Sequence, residues 1–408
     1  MKRTLITNIG MLATPQGTSA RGGRAQGEIC ILKNAWILIE NDVIAQVGTG
    51  AAPAAADAQT INAGGKLVTP GLVDAHTHLI FGGWRQNELA LKLHGAGYLD
   101  ILAAGGGILS TMRATQSASE EQLEAKASAA LDEMLRFGTT TAEAKSGYGL
   151  STGEECKALR VIGNLQKHHV MDLAATFMGA HAVPEAYRDN RQGYLELLCE
   201  EMLPAVREQG IAEFCDVFCE KGVFSAEESR RILLTGRQHG LRPKIHADEI
   251  EAIGGSELAG EIGAVSAEHL IVCPPSGIAS MARGGTVACC LPATSFYLGA
   301  AYAPVQDMVQ AGVPVAMATD FNPGSCPCLN MQLVISLGCL RYRLTPEQAL
   351  TAVTLNGAAA ICRADRIGSI EPGKQADILI WNAEDLDYIC YRLGSNLVDT
   401  VIKKGNVV

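Results

Sequence analysis

The chain has 408 residues, 48% hydrophobic and 19% charged, which supports a large buried core and excludes a disordered chain. Its formal net charge of -10 argues against a nucleic-acid or anionic-membrane partner, yet leaves room for a small anionic substrate in a locally basic pocket. No run of about eighteen apolar residues is present to span a bilayer, and the apolar stretch that follows the basic start is broken by Asn8 and Gly10, so the expectation is a soluble cytoplasmic protein without a secretory signal.

Residues 1–66 read as short strands and turns, with a hairpin over 37–48 around Asn41-Asp42 and a low-complexity surface loop over 50–58. Pro70-Gly71 is a turn signal, and LVDAHTHLI after it reads as a short strand. Alternate strand residues share a face, so His76 and His78 would sit together, with Asp74 on the same face. Alone, that pattern fits two buried core histidines as well as half a metal site.

From Leu72 onward, β-rich runs alternate with helical stretches. The runs cover 72–79, 139–144, 173–179, 212–218, 242–247, 264–270, 286–292 and 313–320. The helical stretch over 119–138 has Ser119 as its cap and Gly138 at its far end, and 153–169 and 225–240 have the same character. Strands alternating with helices in this number predict a (β/α)8 barrel. TPEQALTAVTLNGAAAI then reads as one helix ending near Gly357, before strands return over 369–382 and 397–408. Those late strands cannot extend a closed barrel, so they should pair with the N-terminal ones. The expected fold is α/β: a (β/α)8 TIM-like barrel over 67–362, and a small β-sandwich domain built from both termini, 1–66 and 363–408.

In such a barrel the active site lies at the C-terminal ends of the strands. His76, His78, His181, His246, His269 and Asp320 all fall at predicted strand ends. Three imidazoles (His76, His78, His246) and the Asp320 carboxylate can hold a divalent ion with a position left for water. Such an ion lowers the pKa of its water to about 7. Asp320 can accept the water proton, and Glu249, three residues past His246, can carry it to a leaving nitrogen. His269 can polarise a carbonyl or orient the nucleophile. His168, His169 and His239 sit at helix ends and complement the dipole, and His94 has no role. The 13 cysteines are scattered, and neither Cys326-Pro-Cys328 nor Cys289-Cys290 has zinc-site spacing, so they read as reduced core residues.

The HxH strand, the later His, His and Asp, and the split β-domain with EPGKQADILIW resemble the amidohydrolase superfamily. In order along the chain, VDAHTHLIFGG with Arg85 just beyond, GGGI from Gly105 to Ile108, KSGYGL, FMGAH, KIHADE, AEHL and ATDFNPGS look like its imidazolonepropionase family. The resemblance covers nearly the whole chain. It implies hydrolysis of the ring amide C–N bond of 4-imidazolone-5-propanoate to N-formimidoyl-L-glutamate in histidine degradation, with one zinc or iron ion. It implies His76, His78, His246 and Asp320 as metal ligands. Substrate contacts would be Arg85, Tyr148, His181, Glu249, Asn322, Gly324 and Ser325, with Glu249, His269 and Asp320 catalytic.

A guanidinium binds a carboxylate through two parallel bonds, which suits Arg85 to the propanoate. Tyr148 and His181 can add hydrogen bonds to that end or to the ring. Gly105–Gly107 is expected to be a flexible loop over the pocket. One rival reading is an amino-heterocycle deaminase of the same superfamily, which would release ammonia. Another is a non-catalytic barrel, which would be expected to lose ligands. A homodimer is the default assembly. Asp74 is left between two roles, orienting a ligand imidazole or simply ending a buried strand.

Overall fold

The computed structural model describes residues 2–54, 57–95 and 106–408. The N-terminal part supplies β1 (Arg3–Thr14), β2 (Cys30–Glu40), β3 (Val43–Thr49), β4 (Gln59–Asn62) and β5 (Leu67–Pro70). Then come β6 (Leu72–Asp74), β7 (Thr139–Lys145), β8 (Asp172–Ala180), β9 (Phe214–Cys219), β10 (Arg242–Ala247), β11 (Ser266–His269), β12 (Val287–Cys290) and β13 (Val315–Met317). The C-terminal part adds β14 (Ile378–Trp381), β15 (Val398–Lys403) and β16 (Asn406–Val407).

Strands from both chain ends form one sheet in the order β16-β15-β14-β5-β1-β2-β3, with β4 also on β1. The β2–β3 hairpin turns at Asn41, whose φ of 57° suits an asparagine in a two-residue loop. β1 serves two neighbours along one side: Thr4–Thr7 pairs with β4, and Met11–Leu12 with β5. The register shifts between Ile6 and Ile9, around the left-handed Asn8. This break lets one strand hold both flanking strands around a single core. Ile6, Ile9, Leu12, Ile37, Ile39, Val68, Ile378 and Ile402 pack in that core, where β-branched side chains suit a pleated surface.

The second sheet runs β13-β12-β11-β10-β9-β8-β7-β6, parallel throughout. Helices cover its outside, so nearly every strand residue is buried. The helix Glu120–Arg136 is started by a capping box between Ser119 and Gln122, and it buries Leu123, Ala127, Leu131 and Met134 along one face. The helix Ala226–Gln238 starts in the same way at Ser225 with Glu228.

Two expectations need correction. The first barrel strand ends at Asp74, so His76 and His78 lie beyond it rather than within a strand over 72–79. Past Asp74 the chain makes single bonds to both sides instead of a regular ladder. Thr77 O accepts from the Lys145 amide at 3.0 Å, His76 O accepts from the Asp320 amide at 3.1 Å, and the His78 amide donates to Phe321 O at 2.9 Å. The first of these bonds extends the pairing with β7, and the other two join the first strand to the last and close the ring. The single helix expected after residue 345 is two, Pro346–Ala352 and Leu355–Ala360. The break comes because Val353 O leaves the helix to accept from the Val73 amide at 2.8 Å. The second helix can then pack beneath the barrel with Val73, Phe214, Val287 and Ala316.

The two sheets meet at Pro70-Gly71, and Lys403 Nζ ties Asp172 of β8 to Asp377 at 2.8 and 2.7 Å. A Cβ on Gly71 would lie 2.3 Å from Thr140 Oγ1 and 2.9 Å from its Cβ. A β-branched strand residue has no room to yield. Gly71→Ala should therefore destabilise the chain by about 1–3 kcal/mol, the usual range for overpacking. An unchanged thermal midpoint would show that the junction is looser than described.

Candidate metal centre

The closing bonds bring three segments to one point. His76 Nε2 and His78 Nε2 lie 3.4 and 3.5 Å from Asp320 Oδ1, and His246 Nε2 lies 3.3 Å from His78 Nε2. Asp248, His269 and Asp320 have left-handed φ values of 52°, 68° and 57°. The chain thus turns sharply as it leaves β10, β11 and β13, a strain of order 1–3 kcal/mol per residue that clusters at functional sites.

Each ring is aimed from behind. His76 Nδ1 contacts Glu268 Oε2 at 2.9 Å, and His246 Nδ1 contacts Asp216 Oδ1 at 3.1 Å. With Nδ1–H donating to these carboxylates, the Nε2 lone pair faces the centre. Thr294 Oγ1 donates to Asp320 Oδ2 at 2.7 Å, turning the other oxygen inward. His76 Nε2 and Asp320 Oδ1 are buried and make no hydrogen bond. Such atoms are costly unless something shares them. Three imidazoles and a carboxylate are the donor set of a borderline divalent ion, so the residues fit one. His269 stands as close, forming a second possible triad with His76 and His246.

The protonation states agree. Burial first, and then Lys145, holds His76 well below the ordinary imidazole range; burial and His181 do the same for His78. Burial lowers His246 to about 4 despite Asp216 beside it. All three rings are neutral at pH 7, the form that ligates. Burial pushes Asp320 up to about 7 even though His269 opposes it, so a nearby cation is what would hold it as a carboxylate.

Several of these supports were not anticipated. Glu143, Lys145, Asp216, Lys244 and Glu268 are fully buried inside the barrel. Their signal was a charged residue inside each apolar run TTTAEAK, FCDVF, RPKIHA and SAEH, since a charge on the inner face of a buried strand requires a partner. Asp74 supports neither imidazole. Its carboxylate takes the Thr319 amide at 3.0 Å and the Thr319 hydroxyl at 2.6 Å, fixing the backbone just before Asp320.

Above the centre lies a cavity of about 670 Å³, and His78, His246, His269 and Asp320 form part of its wall. Arg85, Tyr148, His181, Glu249, Asn322, Gly324 and Ser325 line it too. Arg85 Nε lies 3.1 Å from each Glu88 oxygen, which pins one edge of the guanidinium. Its Nη1 faces Gly324, where an added Cβ would come within 2.2 Å. His181 Nδ1 donates to Gly147 O at 3.0 Å, and its ring stacks on His78 at 4.7 Å. Tyr148 packs 5.1 Å from His181, on a turn that Glu155 holds by accepting the amides of Gly147, Gly149 and Leu150.

Asn322 Oδ1 accepts the Gly324 and Ser325 amides at 2.9 and 2.7 Å, so part of its capacity shapes the loop itself. Glu249 Oε2 lies 3.7 Å from His269 Nε2, and burial, then Glu220, pushes its carboxyl up to about 7. Gly105 of the glycine loop lies outside the described residues. Gly107 donates its amide to Glu88 at 2.7 Å, and the next residues, Ile108 and Leu109, reach the cavity. All 13 cysteines are free.

The model of the amidohydrolase family matches residues 67–408. An imidazolonepropionase of Alkaliphilus metalliredigens is 50% identical, covering 100% of this chain and 98% of its own. One from Bacillus cereus (strain G9842) is 48% identical, covering 100% and 97%. Among solved structures, a triazine hydrolase from Arthrobacter aurescens superposes with TM-score 0.75 at 18% identity over 100% of this chain and 94% of that one. The guanine deaminase of E. coli superposes with TM-score 0.75 at 16% identity over 100% and 99%. At that identity the structural likeness speaks for the fold alone, and the deaminase reading gains nothing from it. The chain belongs to the amidohydrolase family and, within it, to the imidazolonepropionases.

Proposed function

We propose that the chain hydrolyses the ring amide C–N bond of 4-imidazolone-5-propanoate, giving N-formimidoyl-L-glutamate. The observation that carries this is the convergence of three neutral imidazoles, that of His76 with its Nε2 lacking any hydrogen bond, and the Asp320 carboxylate beneath a cavity whose wall holds a pinned arginine. His76, His78, His246 and Asp320 would hold one zinc or iron ion. When bound, such an ion lowers the pKa of a coordinated water to about 7 and makes it a nucleophile at neutral pH.

The chain's own residues do the rest. Asp320 accepts the proton of the attacking water. His269 donates a hydrogen bond to the carbonyl oxygen as negative charge grows there. Glu249 carries a proton to the ring nitrogen as the C–N bond breaks. The free edge of Arg85 binds the propanoate, and Tyr148 and His181 hold the ring. Asn322, Gly324 and Ser325 shape the wall beside Arg85. In keeping with the free cysteines, we place the chain in the cytoplasm; among the described residues no helix is long and apolar enough to cross a membrane. Residues 67–362 are proposed as the catalytic domain, and a homodimer as the assembly.

The direct test is turnover of 4-imidazolone-5-propanoate by the purified chain. Loss of ring absorbance without ammonia is the expected result; released ammonia would favour the deaminase, and no turnover would sink the reading. Arg85→Met should raise KM by about tenfold to a hundredfold and leave kcat less affected, because it removes a charge-assisted contact worth about 1.5–3 kcal/mol. Gly324→Ala should act in the same direction by displacing the guanidinium. A KM that ignores both changes would place the propanoate elsewhere.

The pH dependence has a definite sign. As a shuttle, Glu249 must take up the proton before passing it to the ring nitrogen; burial, then Glu220, holds its carboxyl at about 7, so the form that can accept is lost as pH falls through that value. His246 stays neutral until about 4, so the ion should leave only at lower pH. The rate should decline below pH 7 while bound metal, measured in the same samples, holds to a much lower pH. A flat rate between pH 5 and 8 would count against Glu249 as the shuttle.

A further inference from the structure

The two aimed imidazoles are joined behind the site by an unbroken line of charges. From His246 the line passes to Asp216, then to Lys145 Nζ, which lies 2.7 Å from Asp216 and 2.8 Å from Glu143. Glu143 in turn lies 3.3 Å from Lys244 Nζ, which lies 3.3 Å from Glu268. Glu268 then meets His76 Nδ1 at 2.9 Å. All five charged side chains are fully buried, and none lines the cavity. Thr176 Oγ1 donates to Glu143 Oε1 at 2.5 Å and holds the middle of the line.

The signs alternate, which is how a buried row of charges avoids the desolvation cost of an unpaired one. They do not cancel. Three carboxylates face two ammonium groups, leaving one excess negative charge, and Asp320 adds a second. A divalent ion at the converging nitrogens would bring the buried assembly to neutrality.

We propose that Glu143 is a positioning residue for the metal: it closes this line, so that the orientation of His76 and that of His246 are set together. The inference rests on the metal-site reading above. Without the central carboxylate, Lys145 and Lys244 lose their shared partner. Each then pulls harder on Asp216 and Glu268, and those carboxylates hold their imidazoles less well. Glu143 touches neither ion nor substrate, so its effect must travel through both ligand rings.

The test compares the full-length chain with Glu143→Gln, Thr176→Val and, as a control for losing a buried ion pair elsewhere, Asp377→Asn. Affinity for zinc is read by chelator competition, the cobalt(II) form by its visible absorption, and folding by thermal unfolding of the metal-free chains. Glu143→Gln should weaken zinc binding by about 10-fold to 100-fold, the usual effect of losing outer support, and should shift the cobalt spectrum. Thr176→Val should move both in the same direction by less, and it carries the test if Glu143→Gln does not fold. Asp377→Asn should lower the unfolding midpoint and leave both metal readouts unchanged.

A folded Glu143→Gln chain, or failing that Thr176→Val, with wild-type zinc affinity and cobalt spectrum overturns the proposal and assigns the line to barrel stability alone. A wild-type chain that binds zinc and turns over substrate while that happens leaves the metal-site reading standing. A wild-type chain that binds no divalent ion overturns both.

Discussion

Two backbone hydrogen bonds govern this structure: the Asp320 amide to His76 O, and the His78 amide to Phe321 O. They join the end of the first barrel strand to the end of the last, so they close the ring of eight. They also fix the distance between the HxH segment and Asp320, which are far apart in sequence but meet within 3.5 Å. Closure and site assembly are therefore one event. A barrel that failed to close there would lose the convergence of His76, His78 and Asp320 along with its last strand pairing. Asp74 adds to the same seam by holding Thr319 through two bonds, which sets the backbone just before the left-handed Asp320.

A closed parallel barrel normally fills its interior with branched apolar side chains. This one does so only in its lower layers, where Val73, Phe214, Val287 and Ala316 pack on the helix Leu355–Ala360. Above them sits a layer of charge, and above that the converging imidazoles. The order has a physical logic. A ligand imidazole needs an acceptor behind Nδ1 to fix its tautomer. That acceptor is a carboxylate with no access to water, so it needs a cation. The cation needs further carboxylates to offset its own burial. The demand passes down the barrel until it reaches backbone carbonyls, where Lys244 Nζ lies 3.1 Å from Ala360 O. The split of the expected helix at Val353 and Thr354 serves this arrangement, because it sets the second half under the barrel floor.

The architecture was legible because alternation of strand and helix survives in composition: the capped helices at Ser119 and Ser225 were readable from side-chain pattern alone. What was not legible is where regular pairing stops. VDAHTHLI has the alternation of a strand, yet the carbonyls and amides after Asp74 are claimed by two different neighbours. That is a fact of closure, and no local pattern encodes it. The residues around the site divide similarly. His76, His246 and Asp320 stand out as polar groups at the ends of apolar runs. Glu143, Lys145, Asp216, Lys244 and Glu268 stand within such runs, where each is ambiguous alone and acquires meaning only when the register sets His246 opposite Glu268. Asp74 was readable as buried, but its partner Thr319 lies 245 residues away and could only be found in three dimensions.

The cavity wall follows a different rule from its floor. Floor groups are held neutral or await a cation, whereas the wall carries Arg85 already engaged by Glu88 on one edge. That engagement weakens the long-range pull of the guanidinium, so Arg85 is poorly built for steering anions at a distance. It is well built for geometry, because a pinned planar fork offers its remaining edge in one orientation. Gly324 makes that orientation possible, since any side chain there would meet the guanidinium. Under the proposed function, selection is therefore a matter of fit between two fixed points: a carboxylate at the arginine edge, and a carbonyl at the converging nitrogens. A ligand with only one of these groups satisfies half of the cavity, and leaves either the buried Asp320 oxygen or the arginine edge without its complement.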